Sequence, residues 1–226
     1  MAADDDLPLD EWLRSTLLEA YGPFRETWAV EQVERISRRL HAVRRGLAEL
    51  AVEVLWIPEV TAFTAPGKYI YLSRRLQERC ASDEPVAFVL AHEMAHHDMR
   101  HLELFEGWTA RLPRVGGSRL IAAVFRQIER RVYGPEQEME ADARALELCL
   151  AAGYDGRRCL QLFDILESDA LDRRDLDGVF GPDEDPDPPS DSVDEWLQRA
   201  RRWTWQRFRG YLPIRERKAA LEARMA

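Results

Sequence analysis

Hydrophobic residues recur at three- and four-residue steps between Trp28 and Leu47. Steps of that length place side chains on one face of an α-helix, so this segment is predicted to be an amphipathic helix with an arginine-rich outer face. The apolar positions are Val30, Val33, Ile36, Leu40 and Val43. Residues 1–26, which precede this helix, are predicted to form an N-terminal helical segment.

Two short segments further along the chain are rich in β-branched and aromatic residues, which is typical of strands. They cover about residues 50–57 and 68–73, and Pro66 and Gly67 between them are a turn signal. We therefore expect either a β-hairpin or a three-stranded sheet with a short strand in the intervening segment.

A helical pattern resumes after the strands. Ser82 or Asp83 is predicted to cap a helix that runs into a histidine-rich stretch, and Gly134 and Gly153 bound a later helix. Further helices are predicted over residues 118–132, over about residues 155–168, and after the capping pattern that begins at Ser192. The sequence thus predicts an α+β fold that is mostly helical.

The chain is predicted to divide into a core over residues 27–170, a mobile loop over residues 171–191 and a C-terminal helical segment over residues 192–226. The loop combines acidic residues with four prolines, and such a composition buries too little apolar surface to order itself. The last segment interleaves arginines with aromatic residues, which is also typical of nucleic-acid and membrane-interface patches. Its helical apolar stripe favours packing on the core, with peripheral membrane contact as the alternative.

The bulk composition narrows the class of protein. The 226-residue chain is 46% hydrophobic, which suits one globular domain. Its formal net charge of -9 argues against a nucleic-acid partner. The acidic N-terminus does not resemble a secretory signal, no apolar run approaches the roughly 18 residues of a membrane span, and the three cysteines fit reduced thiols. We therefore expect a cytoplasmic protein without a transmembrane segment.

Four of the five histidines lie in the segment VLAHEMAHHDMRH. His92, Glu93 and His96 match the pattern H-E-x-x-H, in which two imidazoles four residues apart share a helix face and can bind one ion. Glu93 lies where it can hold a metal-bound water and accept its proton, so the pattern predicts metal-dependent hydrolysis. His97 and His101 lie off this face and are predicted to have surface or packing roles.

A catalytic zinc site needs a third protein ligand and one open position. In one known pattern a histidine six residues after His96 supplies it, but that position is Leu102. The alternative is a carboxylate from a separate helix, and the segment EMEAD supplies Glu138. Asp142 shares its helix face and can accept a hydrogen bond from a ligand histidine, whereas Glu140 points elsewhere. The two histidines and this glutamate are thus predicted to hold one Zn²⁺, although such a site also admits other divalent metals.

Three successive segments resemble the HtpX-like and CAAX prenyl protease-like family of zinc metallopeptidases, the gluzincin type with a second motif E-x-x-x-D. They are TAFTAPGKYIYLSRRL, PVAFVLAHEMAHHDMRH and EQEMEADARALEL, within about residues 50–152. The resemblance implies a gluzincin-like core whose small sheet packs on the active-site helix, and a protein or peptide substrate. It also implies the site residues, which are the zinc ligands His92, His96 and Glu138, the catalytic base Glu93 and the supporting residue Asp142.

The resemblance further implies how a substrate binds. Relatives lay an extended substrate along an edge strand, which corresponds here to Tyr69, Ile70, Tyr71 and Leu72; the alternative is a covered structural strand. The family's later segment S-x-H-P-x-x-x-x-R is altered, because GYLPIRERK has Leu212 at the histidine and Lys218 near the arginine. Another oxyanion donor is therefore expected, and the candidates are Tyr211, Arg215 and Arg217.

The function expected from these residues is that of a zinc-dependent metalloendopeptidase, in which a metal-activated water cleaves the peptide bond and Glu93 is the general base. The alternative is a non-catalytic zinc-binding scaffold or regulatory interaction protein. The presence of Glu93 favours the enzyme.

Overall fold

A computed structural model of the chain describes residues 7–44, 47–102, 133–177 and 214–225, and it describes side chains only as far as Asp169 in the third of these ranges. Within these ranges the elements are α1 (Leu9–Tyr21), α2 (Thr27–Val43), β1 (Ala51–Leu55), β2 (Ala62–Thr64), β3 (Tyr69–Ser73), α3 (Arg74–Arg79), α4 (Asp83–Asp98), α5 (Pro135–Ala151), α6 (Gly156–Cys159), α7 (Gln161–Asp177) and α8 (Ile214–Arg224). The predicted α+β, mostly helical fold with a small sheet is confirmed. The helix predicted over residues 118–132 and the residues 178–213, including the helix start at Ser192, lie outside the described ranges.

Two predicted helix boundaries change. The helix α2 ends at Val43 rather than at Leu47, because Arg44 leaves the helical conformation and its guanidinium pairs with Asp98 of α4. The helix α7 continues to Asp177, so the first seven residues of the predicted loop 171–191 are helical. Leucine and arginine are good helix formers, and no glycine or proline occurs in α7, which explains why the acidic composition did not end the helix.

The sheet is mixed, with the strand order β1-β3-β2. β3 is parallel to β1 and antiparallel to β2. The prediction that Tyr69–Leu72 form the substrate edge is therefore wrong, because β3 is the central strand and its main chain pairs with a neighbour on each side. The alternative of a covered structural strand is confirmed, since all five residues of β3 are buried. The strand beside α4 with an outer edge is β2.

Both faces of the sheet are covered, which explains the continuous burial of β3. Alternate residues of a strand point to opposite faces. Ile70 and Leu72 belong to the larger core with α2 and α4, whereas Tyr69 and Tyr71 belong to a second core with Trp12 of α1. The sheet thus lies between the N-terminal helix and the helices that carry the candidate site.

The helix α4 is the centre of the larger core. Every residue from Pro85 to His96 is buried, and Ser82 occupies the N-cap position that the sequence predicts. The carboxylates of Asp83 and Glu84 in its first turn favourably face the positive end of the helix dipole. Because α4 packs against α2, α5, α6 and the sheet, any polar side chain in its middle is held away from bulk water.

None of the helices in the described ranges combines the length and the apolar character that a membrane span requires.

Candidate metal centre

Two packed helices, α4 and α5, bring the predicted site residues into one buried cluster. His92, Glu93 and His96 lie on α4, and Glu138 and Asp142 lie one turn apart on α5. All five are buried, and the most exposed, His92, has a relative exposure of only 7%. The structure therefore brings together the residues that the sequence singled out.

The candidate ligand atoms are two imidazole nitrogens and a carboxylate. Nε2 of His96 is 3.1 Å from Nε2 of His92, and each nitrogen is 3.6 Å from an oxygen of Glu138. Ligands at about 2.0 to 2.1 Å from a tetrahedral zinc ion lie about 3.3 Å from one another. The two imidazoles and the carboxylate are thus close enough to share one zinc ion, and in the described part of the chain this is the one such group of His, Cys, Asp and Glu residues.

The formal charge of the cluster also suits a divalent cation. Glu93, Glu138 and Asp142 contribute three negative charges, and Arg217 of α8 contributes one positive charge, which leaves minus two when both imidazoles are neutral. Buried charge is costly unless a charge of opposite sign balances it. The donor set and the charge therefore both fit Zn²⁺.

His92 is supported by an ion pair between α5 and α8. Its Nδ1 is 3.0 Å from Oδ1 of Asp142. Arg217 donates to both oxygens of Asp142, from Nε at 2.6 Å and from Nη2 at 2.7 Å, and its Nη1 lies 3.1 Å from Glu138. The C-terminal helix therefore contributes a buried cation to the cluster.

Burial and charge have opposite effects on the pKa values of this group. Burial raises the pKa of Asp142, but the hydrogen bonds with His92 and Arg217 outweigh it and hold the pKa below its usual value. Burial lowers the pKa of His92, but Asp142 and then Glu138 outweigh it and hold the pKa above its usual value. Asp142 is therefore ionised and orients the ring of His92 with Nδ1 towards itself.

His96 has different neighbours. Tyr133 stacks on its ring with the centroids 3.6 Å apart, and Nδ1 of His101 is 3.0 Å from its Nδ1. Nε2 of His101 lies 3.5 Å from Glu140, and burial lowers the pKa of His101. The sequence did not predict the contact between His96 and His101. His101 lies beyond the end of α4, where helical periodicity no longer gives the direction of a side chain.

The remaining predicted residues divide between the cluster and other places. Arg217 lies in the cluster, whereas Arg215 has an 80% exposed side chain and pairs with Glu167 at 2.6 Å. The prediction that Arg215 is an oxyanion donor is wrong, because residues two apart on a helix point to different sides. Tyr211 lies outside the described residues. His97 contacts β2, as its predicted packing role requires, and burial lowers its pKa to about 4.

A cleft adjoins the cluster. Ala62 of β2 lines it beside His92, Glu93 and Arg217, whereas none of Tyr69 to Leu72 does. The rest of its wall is mainly apolar and comes from α3, α4 and α7, through Leu76, Phe88, Val89, Leu162, Phe163 and Leu166. The candidate site thus opens onto an apolar cleft bordered by the edge strand.

A buried His, His, Glu cluster on two packed helices, beside a small sheet and a cleft, is the arrangement of a zinc metallopeptidase. The family model described as peptidase family M48 matches residues 23–199, well over half of the chain. The chain belongs to peptidase family M48, and membership implies a zinc-dependent metallopeptidase. The family resemblance inferred from the sequence is thereby confirmed. A comparison with curated proteins gave no match.

Proposed function

We propose that this protein is a zinc-dependent metalloendopeptidase whose metal ligands are His92, His96 and Glu138. One observation carries the proposal: Nε2 of each histidine and the carboxylate of Glu138 lie 3.1 to 3.6 Å from one another, where the helix α4, which carries both histidines and Glu93, packs against α5, which carries Glu138. When bound, the ion supplies Lewis-acid activation of a water molecule and of the scissile carbonyl.

The protein side chains have distinct roles in this proposal. Glu93 is buried beside His92 and lines the cleft, so its carboxylate accepts the proton of the attacking water and passes it to the leaving amine. Asp142 holds the ring of His92, and Arg217 holds Asp142. Arg217 is therefore a positioning residue in this scheme, since its guanidinium forms a fork with a carboxylate that itself supports a ligand.

The outer edge of β2 is the proposed binding site for an extended substrate. In the described ranges β2 pairs only with β3, and its residue Ala62 lines the cleft next to His92. An added strand would bond main chain to main chain, and this mode of recognition tolerates many side chains. The apolar wall of the cleft favours peptides with an apolar side chain near the scissile bond.

The function is tested by metal analysis and by cleavage of casein and a quenched peptide. Glu93→Gln is expected to keep zinc and to lose at least about 100-fold in kcat, because it removes the base and not a ligand. The matched control is Glu147→Gln, an exposed glutamate of α5 paired with Arg144, which should keep wild-type activity.

Three outcomes would contradict or redirect the proposal. Equal activity of the wild type and Glu93→Gln would exclude Glu93 as the base. Bound zinc without turnover in the wild type would favour the zinc-binding scaffold. A wild type with neither zinc nor cleavage would exclude both functions.

A cytoplasmic location and the absence of a nucleic-acid partner stay predictions based on composition and charge. Cell fractionation and a nucleic-acid binding assay at low salt test them, since non-specific binding is strongest there.

A further inference from the structure

The end of α4 places a histidine against one of the candidate ligands. The N–H of Arg100 donates to the carbonyl of His97 at 3.1 Å, and the N–H of His101 donates to the carbonyl of His96 at 2.9 Å. This pair of bonds is the Schellman motif, which needs a left-handed residue at its centre. Arg100 is that residue, with a φ of 58°, and it is the one non-glycine residue of positive φ in the described ranges. The chain thus adopts an unfavourable backbone conformation where it brings His101 back against His96.

The contacts of the His96 and His101 rings allow one arrangement of hydrogen-bond donors and acceptors. Nε2 of His96 faces His92 and Glu138, so it must keep its lone pair to bind a cation, and its ring proton is on Nδ1. Nδ1 of His96 is 3.0 Å from Nδ1 of His101, so His96 donates and His101 accepts. The proton of His101 is then on Nε2, which lies 3.5 Å from Oε2 of Glu140. These contacts assign one tautomer to each ring.

The surroundings restrict the movement of both rings. His96 is fully buried and His101 is 8% exposed. Tyr133 lies nearly parallel to the His96 ring, at an interplanar angle of 21°. The ring of His96 is thus held on one face by an aromatic contact and at Nδ1 by a hydrogen bond, while Nε2 points to the cluster.

We propose that His101 is a positioning residue for His96, with Glu140 as its own partner. By accepting the Nδ1 proton, His101 holds the ring with Nε2 towards the metal and makes that nitrogen a stronger base. The inference rests on the proposed function, since it concerns a ligand of the same metal. His101 does for His96 what Asp142 does for His92, although it is a neutral ring close in the chain and not a distant carboxylate.

The test compares two substitutions of His101 in the full-length chain. His101→Phe has a similar volume and no acceptor, whereas His101→Gln keeps an acceptor oxygen. Zinc affinity is measured by competition with a chromophoric chelator, and thermal unfolding of the metal-free protein is measured in parallel. We expect His101→Phe to bind zinc about 10- to 100-fold more weakly, and His101→Gln to recover part of the loss.

Two further variants separate positioning from structural support. Glu140→Gln changes a side chain that is 57% exposed, so it should fold, and its effect on zinc affinity should be smaller than that of His101→Phe. Arg100→Gly is the matched control, because glycine adopts a positive φ without strain and keeps the turn. Its zinc affinity should equal that of the wild type.

The possible results are distinguishable. Wild-type zinc affinity in a folded His101→Phe variant would overturn the positioning role and leave the proposed function intact. Failure of the wild type to bind zinc and cleave peptides would overturn both. If His101→Phe does not fold, nitrogen NMR of the histidine rings in the wild type decides: a proton on Nε2 of His101 supports the inference, and a proton on its Nδ1 overturns it.

Discussion

Two arginine–aspartate pairs in this protein have the same geometry and very different surroundings. Arg217 binds Asp142 through Nε and Nη2 at 2.6 and 2.7 Å, and Arg35 binds Asp83 through the same atoms at 2.9 and 2.8 Å. The side-chain exposures are 9% and 3% for the first pair but 51% and 25% for the second. The first pair supports the candidate metal centre, whereas the second joins α2 to the start of α4.

The comparison shows that hydrogen-bond geometry alone does not set the energetic importance of an ion pair. An exposed pair contributes about 0 to 1 kcal/mol, because water and salt screen it. Removal of one partner of a buried pair costs about 3 to 5 kcal/mol, because it leaves a charge that water cannot reach. A third fork, between Arg44 and Asp98, is as buried as the first but does not contact the metal cluster. Substitutions in this third pair therefore report how burial affects stability without a direct effect on zinc binding.

The largest expected effect is that of Arg217→Met. It leaves Asp142 and Glu138 buried without their guanidinium, so the metal-free protein should lose about 3 to 5 kcal/mol of the free energy of unfolding. Zinc affinity should also fall by about 10- to 100-fold, because Asp142 no longer holds His92 firmly. Urea denaturation of the metal-free protein and chelator competition measure the two effects.

The same helix supplies the control for this variant. Arg215→Met removes a pair with Glu167 on the exposed side of α8 and should cost less than about 1 kcal/mol, with no change in zinc affinity. Arg217→Lys keeps the charge but not the two-pronged hydrogen bond. Its losses of unfolding free energy and of zinc affinity should therefore lie between those of Arg215→Met and Arg217→Met. Equal losses of unfolding free energy in Arg215→Met and Arg217→Met would contradict the claim that burial makes the Arg217 pair the more important one.

The next largest effect is expected from Arg44→Met. The guanidinium of Arg44 is buried against Asp98 and also contacts His41 and the carbonyl of Ala48, so about 3 kcal/mol of stability should be lost on urea denaturation. Zinc affinity should stay within about threefold of the wild-type value, since a side chain that supports a metal ligand must contact that ligand and the Arg44–Asp98 pair does not. A loss of zinc binding as large as that of Arg217→Met would show that global destabilisation, and not positioning, controls the site.

The sequence predicted the parts of the site that depend on helical spacing. His92, Glu93 and His96 lie within two turns of one helix, and Glu138 and Asp142 lie one turn apart on another, so periodicity alone gives their directions. It did not predict the fork of Arg217, because Arg217 is 75 residues beyond Asp142 and only tertiary packing brings them together. It missed His101 because a left-handed residue, Arg100, ends the helix without the glycine that usually signals such a turn.

The strands show a similar limit. Composition located β1 and β3 within a few residues, but it did not give their order in the sheet. The segment between them forms β2 and pairs on the outer side of β3, and β1 runs parallel to β3 on the other side. A continuous apolar run such as that of β3 is typical of a strand covered on both faces, and it is the signal in the sequence that favours the covered strand over the predicted edge.

The smallest expected effect is that of Arg35→Met, which removes the exposed fork. At neutral pH it should cost about 0.2 to 1 kcal/mol of the free energy of unfolding.

The effect of this substitution should also depend on pH. The hydrogen bond from Arg35 is the main reason why the pKa of Asp83 lies below its usual value, against a smaller opposing effect of burial. A lowered pKa in the folded state gives stability that is complete above the unfolded pKa, near about pH 4, and is lost as the pH falls through the folded value. Urea denaturation should therefore show a difference between wild type and variant that is constant from about pH 5 to 7 and closes below about pH 4. A difference that persists at low pH, or one as large as that of Arg44→Met, would mean that the exposed fork behaves like a buried one.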